Sequence, residues 1–402
     1  MKRSVEYYAK RNLWLYIVVK IFNKRVFLPV IVIYFVDRFG FSIQEIGILA
    51  AIYGIVSIVA DVPTGYFADR YGRVNTIRVA AILQIIASLL YITVTQKSGI
   101  IFAQILESLA FSFLSGAAEA LVHDSLEVTK QTKQYSKVLS RAQSIALVAN
   151  AALIASVPLT YAIDPRLPFL IGTLAFVGLG IAGIYMREVL PHAPRQKLVW
   201  RRADALAALA RNKLLLFAAL LFGTVSAIYF SFDIFTLAMR HYGIKPEFIG
   251  FVFAAASLVG AVVGLFIHHL KKLNITHYAF IDVTILLLPF LSAVTANALL
   301  LAGSIVISIA FWRFRRIIYQ DHLLTLFPTN YKATLISGMS MSESINYVWI
   351  PVVTTSIVGV LGFVTGFGVI ACAVVGIAVP YVVLMHMLFV HQQSAVVYND
   401  KQ

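Results

Sequence analysis

The sequence predicts an all-α membrane protein of twelve spanning helices in two six-helix bundles, with both termini cytoplasmic. Three observations predict it. Hydrophobic residues fill 60% of 402 positions and charged residues only 13%, with a mean hydropathy of +0.85, unlike any soluble domain. The apolar residues fall in runs long enough to cross a hydrocarbon core. The basic residues gather in alternate connections between those runs, which sets the orientation.

The runs lie at 12–36, 43–67, 74–95, 99–122, 138–162, 167–187, 213–239, 247–270, 276–296, 298–320, 332–358 and 362–390. Residues 1–11 are polar and the first run carries Lys20, Lys24 and Arg25, so no cleaved signal peptide is expected. Of 33 Lys and Arg, only Arg38, Lys97, Arg166, Arg240 and Lys245 fall on the side opposite the termini. The net charge of +15 is therefore topology rather than a nucleic-acid face. The longest polar stretch carries Pro191, Pro194, Arg195, Lys197, Arg201 and Arg202. It divides the chain into a bundle at 1–187, a cytoplasmic linker at 188–212 and a second bundle at 213–402. A single cysteine, Cys372, allows no internal disulfide, and no metal or cofactor motif is present.

Between the second and third runs stands Asp61-Val62-Pro63-Thr64-Gly65-Tyr66-Phe67-Ala68-Asp69-Arg70-Tyr71-Gly72-Arg73. It reads as a short, charged cytoplasmic hairpin. Gly65 is expected to let two helices approach closely and Gly72 to supply a positive-φ turn position. Gly65, Ala68, Asp69, Arg70, Gly72 and Arg73 match the signature loop between helices 2 and 3 of the major facilitator superfamily, which this chain resembles. Gly264, Lys271 and Lys272 are similar to a degraded second copy after run 8. Ser115-Gly116…Glu119…Asp124-Ser125-Leu126 and Lys332-Ala333-Thr334…Ser337 resemble a branch of bacterial efflux-type facilitators. Two features found in many members are absent: the arginine of helix 4, near which Glu107 stands, and the Gly-Pro motif of helix 5, where only Pro158 remains.

Charged side chains inside spans cost about 2.5–3.5 kcal/mol each on insertion scales and usually mark function. Span 1 holds Lys20, Asn23, Lys24 and Arg25, and span 10 holds Arg313, Arg315 and Arg316. Arg313 and Arg316, three apart, share a helical face, and Arg315 points elsewhere. Opposite in sign are Glu107 and Glu119 in span 4, Asp233 in span 7, Asp282 in span 9 and Glu343 in span 11. The resemblance implies that spans 1, 4, 7 and 10 line a central cavity. Lys24, Arg313, Arg316, Asn23, Asp233 and Tyr229 are then the candidate substrate-binding residues. Arginine suits a carboxylate or phosphate because its planar fork donates two parallel hydrogen bonds. The alternative is that these cations merely neutralise the buried acids, with Lys20 reaching the interface.

Glu107 is the candidate proton carrier, with Glu343 and Glu119 as further candidates. Burial favours a carboxyl's neutral form, and a nearby cation or substrate favours the charged one. A permanently paired structural carboxylate is the competing reading. Asp61, Gly65, Asp69, Arg70, Gly72, Arg73, Asp124 and Arg141 are the candidate conformational gate, with Asp69 capping a helix or pairing with a base such as Arg141. Trp14, Tyr16, Tyr34 and Trp349 read as an interfacial aromatic belt.

No nucleophile elbow, metal-ligand spacing or G-x-x-x-x-G-K-[ST] loop occurs, so neither an enzyme nor an ATP-driven pump is expected. The resemblance implies a monomeric secondary transporter of the bacterial inner membrane, moving a small molecule with protons. Export of an anionic or zwitterionic compound (an antibiotic, a peptide-like compound, a metallophore or a phosphorylated metabolite) is the first reading. Proton-coupled uptake of an organic anion and a transport-dead sensor are the alternatives.

Overall fold

The computed structural model describes residues 4–190, 213–229, 231–265, 273–325 and 332–399. The described residues contain no strand. Most of the expected linker, and the 266–272 stretch expected to echo the signature loop, lie outside them, as do the side chains of Lys332 to Ser337. Among the described residues eleven helical segments are long and apolar enough to cross a membrane.

The first expected span, 12–36, is not one helix. Helix α1 (Val5–Phe22) starts on the Ser4 side chain, which accepts from the Tyr7 amide, and stops at Asn23. The chain is irregular through Val30, and α2 (Ile31–Phe39) resumes. Asn23, Lys24 and Arg25 are poor partners for lipid, and Pro29 has no amide hydrogen and disfavours a helical Leu28. In the first turn of α1 a hydrogen bond from Lys10 holds the Glu6 carboxyl below its usual range.

Helix α3 (Ile43–Tyr71) runs through nearly all of the stretch read as a loop, and α4 (Arg73–Thr93) follows at once. Only Gly72 stands between them, at φ +99°, a conformation in which a Cβ would be strained. The hairpin is thus one residue long. Gly65 is not a site of close approach, since a Cβ there would meet nothing within 4 Å.

Span 4 is also divided. Helix α5 (Lys97–Leu114) ends at Ser115, Gly116 turns the chain at φ +81°, and α6 (Ala117–Val128) follows. Helix α7 (Tyr135–Ser156) tightens into a 3₁₀ turn at Val157–Ala162 around Pro158, and α8 (Leu167–Tyr185) completes this part. After residue 212 come α9 (Lys213–Tyr229), α10 (Phe232–His241), α11 (Pro246–Leu265), α12 (Ile275–Val294), α13 (Ala298–Thr325), α14 (Lys332–Leu361) and α15 (Phe363–Asn399). Span 7 is therefore interrupted as well, between α9 and α10.

The contacts divide the chain into two compact units. One comprises Met1–Phe41, Ile52–Gln196 and Lys245–Ala254; the other comprises Ser42–Ala51, Lys197–Ile244 and Ala255–Gln402. In the first, α1 packs on α6, α7 and α8, and α4 packs on α5 and α8. Tyr16, Val19, Ile77, Ala81, Leu121 and Leu179 are among the core residues there. In the second, α9 packs on α14, and α12 packs on α13 and α15. Large apolar side chains such as Val59, Leu174, Phe280 and Val360 are exposed, while Glu107, Asp282 and Arg315 are buried. That inversion suits helices whose solvent is hydrocarbon.

Candidate functional site

In the first unit the break between α1 and α2 places Arg25 beside Glu107 of α5, Nε to Oε1 at 3.7 Å. The Glu107 side chain is 3% exposed and that of Arg25 27%, so the cation keeps a path to solvent that the acid lacks. Tyr91 of α4 donates to Glu107 Oε2 at 2.7 Å, and its hydroxyl also lies 3.1 Å from Gln104 Oε1. Among the described residues, no hydrogen-bond donor reaches Glu107 Oε1. Arg25 also lies over the Tyr53 ring, 5.4 Å from its centroid. One turn before the break, Lys20 binds Glu119 of α6 at 3.0 Å, and Asn23 accepts from Gln84 at 2.8 Å. Lys24 is half-buried within the break itself.

In the second unit Arg315 is wholly buried. Its Nε donates to Asp282 Oδ2 at 2.7 Å, its other nitrogens to Ser226, Tyr381 and the Phe222 carbonyl, and Tyr319 donates to the same carboxylate oxygen at 3.0 Å. Its guanidinium lies 4.2 Å from the Phe222 ring centroid. The expectation that Arg315 points away from Arg313 and Arg316 holds in this arrangement. Tyr229, a candidate for substrate contact, is buried here and donates to the Asp282 carbonyl at 2.6 Å. It also lines a small apolar cavity at the interruption between α9 and α10, with Phe232, Phe235, Pro289 and Phe290. Asp233 is half-buried in the first turn of α10.

The other two arginines of α13 meet different neighbours. Arg316 reaches α14, binding Glu343 at 3.3 Å and Ser340, with its side chain 43% exposed. Arg313 reaches α11 and donates to Ser257 at 2.9 Å. Its Nε is buried without a hydrogen-bond partner, and no carboxylate pairs with it among the described residues. On α14, Asn346 accepts from Thr224 and from the Trp349 indole, which gives Trp349 a partner inside the unit rather than a purely interfacial role.

The residues expected to form a cytoplasmic gate are wired differently from the expected pairing. Arg141 lies over the Trp14 ring instead of on Asp69. Arg73 binds the Asp124 carboxylate and the Ala120 carbonyl, Arg70 binds the Tyr66 hydroxyl, and Glu188 caps α4 by accepting from the Val74 amide at 2.6 Å. Glu188, not Asp69, takes the helix-capping role. His123, Asp124 and Glu127 bring one ligand atom each within 4.8 Å of one another, but Asp124 already holds Arg73. Asp61 sits exposed in α3. Sequence reasoning missed Tyr91, Gln104, Tyr53, Ser257 and Glu188. A tyrosine or serine inside an apolar run carries no signal of its own, and only the neighbouring helix reveals it.

Comparison with known proteins gives three findings. A model of the Major Facilitator Superfamily matches residues 13–380. A stretch of 94 residues is 28% identical to the uncharacterized MFS-type transporter YxaM of Bacillus subtilis (strain 168), spanning 23% of this chain and 23% of that relative. Among solved structures, the nucleoside transporter NupG superposes with a TM-score of 0.74 at 14% identity, covering 95% of this chain and 99% of that one. The POT family transporter PepTSo gives 0.75 at 11% identity, covering 98% and 99%. At these identities the two structures share the fold alone.

Proposed function

Since the chain belongs to the major facilitator superfamily and is a secondary transporter of that type, we propose that it exports an anionic or zwitterionic small molecule in exchange for protons. Arg313 carries this reading. A buried cationic nitrogen is costly unless an anion compensates it, and among the described residues Arg25, Arg315 and Arg316 each pair with a carboxylate, whereas half-buried Arg313 meets the Ser257 hydroxyl and keeps its Nε buried without a partner. The missing negative charge is the substrate's. Its carboxylate or phosphate binds the fork of Arg313, and Arg316, the most exposed of the three, exchanges Glu343 for the same anion. Lys24, Asn23 and Asp233 are the remaining substrate-facing candidates, Asp233 for a positive group of a zwitterion.

Glu107 carries the proton. It lies buried beside Arg25, whose side chain keeps a path to solvent and can turn to another anion. Glu343 and Glu119, each held by one cation, are secondary proton sites. Asp124 with Arg73 forms the cytoplasmic latch. Coupling then follows from differential affinity: substrate and proton each stabilise one conformation over the other. The efflux-type features of the sequence favour export and a place in the bacterial cytoplasmic membrane.

The test is reconstitution in liposomes with a pH dye inside and a panel of anionic, zwitterionic and cationic solutes. Anions or zwitterions are expected to move protons in the wild type, Glu107→Gln to exchange solute without protons, and Arg313→Ala to be silent. Proton movement driven by cations alone, with Arg313→Ala unaffected, would overturn the substrate class.

A further inference from the structure

We propose that Tyr91 and Gln104 act as a hydroxyl switch that satisfies Glu107 in both of its protonation states. This deepens the reading of Glu107 as the proton carrier and rests on it. The Tyr91 phenol has one hydrogen and two acceptors in reach, Glu107 Oε2 at 2.7 Å and Gln104 Oε1 at 3.1 Å. It can donate to only one of them at a time. With Glu107 ionised, the phenol donates to the carboxylate. When a proton arrives on Glu107, the carboxyl donates to the phenol oxygen and the phenol hydrogen turns to Gln104. No covalent bond of Tyr91 breaks, and the only proton gained or lost is the one on Glu107.

The surroundings allow that rotation and little else. The Tyr91 ring is fully buried, with Phe27, Phe35 and Phe169 at centroid distances of 6.1, 5.5 and 5.7 Å. The Tyr34 hydroxyl holds the Tyr91 carbonyl at 2.9 Å. Ring and backbone are fixed, so the hydroxyl hydrogen is the moving part. Because both residues are buried, water is not at hand to replace a lost partner, and an unmet donor or acceptor costs its full desolvation. Among the described residues, the titratable and charged groups facing Glu107 are Arg25 from the α1–α2 break, Tyr91 from α4 and Tyr53 from α3. Gln104, one turn before Glu107 on α5, is neutral and serves only as the second acceptor. Tyr91 and Gln104 are positioning residues; Glu107 alone exchanges the proton.

The switch makes a prediction that packing alone does not. Tyr91→Phe removes the donor to the ionised carboxylate, so protonation should move to higher pH. Gln104→Leu removes the acceptor needed when Glu107 is protonated, so protonation should move to lower pH. Each shift is expected to be about one pH unit, the scale of one hydrogen bond to a charged or buried group. The measurement is pH-difference infrared spectroscopy of the full chain in phosphatidylethanolamine–phosphatidylglycerol vesicles, following the carbonyl stretch of protonated carboxyls. Size-exclusion profile and thermal midpoint confirm the fold of each variant, and Gln104→Met replaces Gln104→Leu if the latter misfolds. Glu107→Gln is expected to remove one band, and that band should shift up in Tyr91→Phe and down in Gln104→Leu. If Glu107→Gln removes a band but the two variants shift it the same way or not at all, the switch is wrong and the proton site stands. If Glu107→Gln removes no band, the proton reading fails and the switch with it.

Discussion

Arg25–Glu107 in the first unit and Arg315–Asp282 in the second are both arginine–carboxylate pairs in apolar surroundings, yet their cations are held differently. The Arg315 side chain is 1% exposed and meets Asp282, two hydroxyl oxygens, a backbone carbonyl and an aromatic face. These contacts leave the Arg315 charge no route to water and tie α9, α12, α13 and α15 together. Arg25 leaves an irregular segment, keeps 27% of its side chain exposed and approaches Glu107 only to 3.7 Å. The same two residue types thus make an enclosed brace in one unit and a looser pair with a solvent-accessible cation in the other.

The largest effect that follows is on stability. Asp282→Asn should cost about 3–5 kcal/mol, the penalty for leaving one buried charge unpaired. Asp282→Leu combined with Arg315→Met should recover most of it, read as the midpoint of thermal unfolding in detergent. If the single and double variants are equally unstable, the brace is held by its tyrosines and not by its charges. Glu107→Gln should change stability by no more than about 1 kcal/mol, because Arg25 retains solvent and the glutamine can still accept from Tyr91. A loss as large as that of Asp282→Asn would make the two pairs equivalent and erase the distinction. Smallest is Lys20–Glu119, whose side chains are 28% and 48% exposed. Alanine at either position should fall within the roughly 0–1 kcal/mol of exposed ion pairs, by the same unfolding assay.

Much of this was legible in the sequence, and the limits have physical causes. Glu107, Arg313, Arg315 and Arg316 announce themselves because charge in an apolar run is expensive and hence retained for a reason. Which acid each arginine meets was not legible: Asp282 and Arg315 lie on different helices, and helix rotation fixes their pairing. Arg313 and Arg316 share a face by spacing, yet their long side chains diverge to α11 and α14. The breaks in spans 1 and 4 had local signals, Asn23 to Pro29 and Ser115-Gly116, which length and hydropathy alone overlook. The signature stretch carried the opposite error. Its charges and glycines suggested a loop, but all except Gly72 are compatible with helix, and α3 continues to Tyr71.

The broken, triply basic first span also constrains how the chain enters the bilayer during synthesis. Lys20, Lys24 and Arg25 each burden a nascent segment that has, as yet, nothing to neutralise them. The partners of Lys20 and Arg25, Glu119 and Glu107, leave the ribosome some eighty to one hundred residues later. Until the fourth span is made, Lys20 and Arg25 lack the carboxylates that neutralise them in the finished protein, so those ion pairs bear on the order of its assembly.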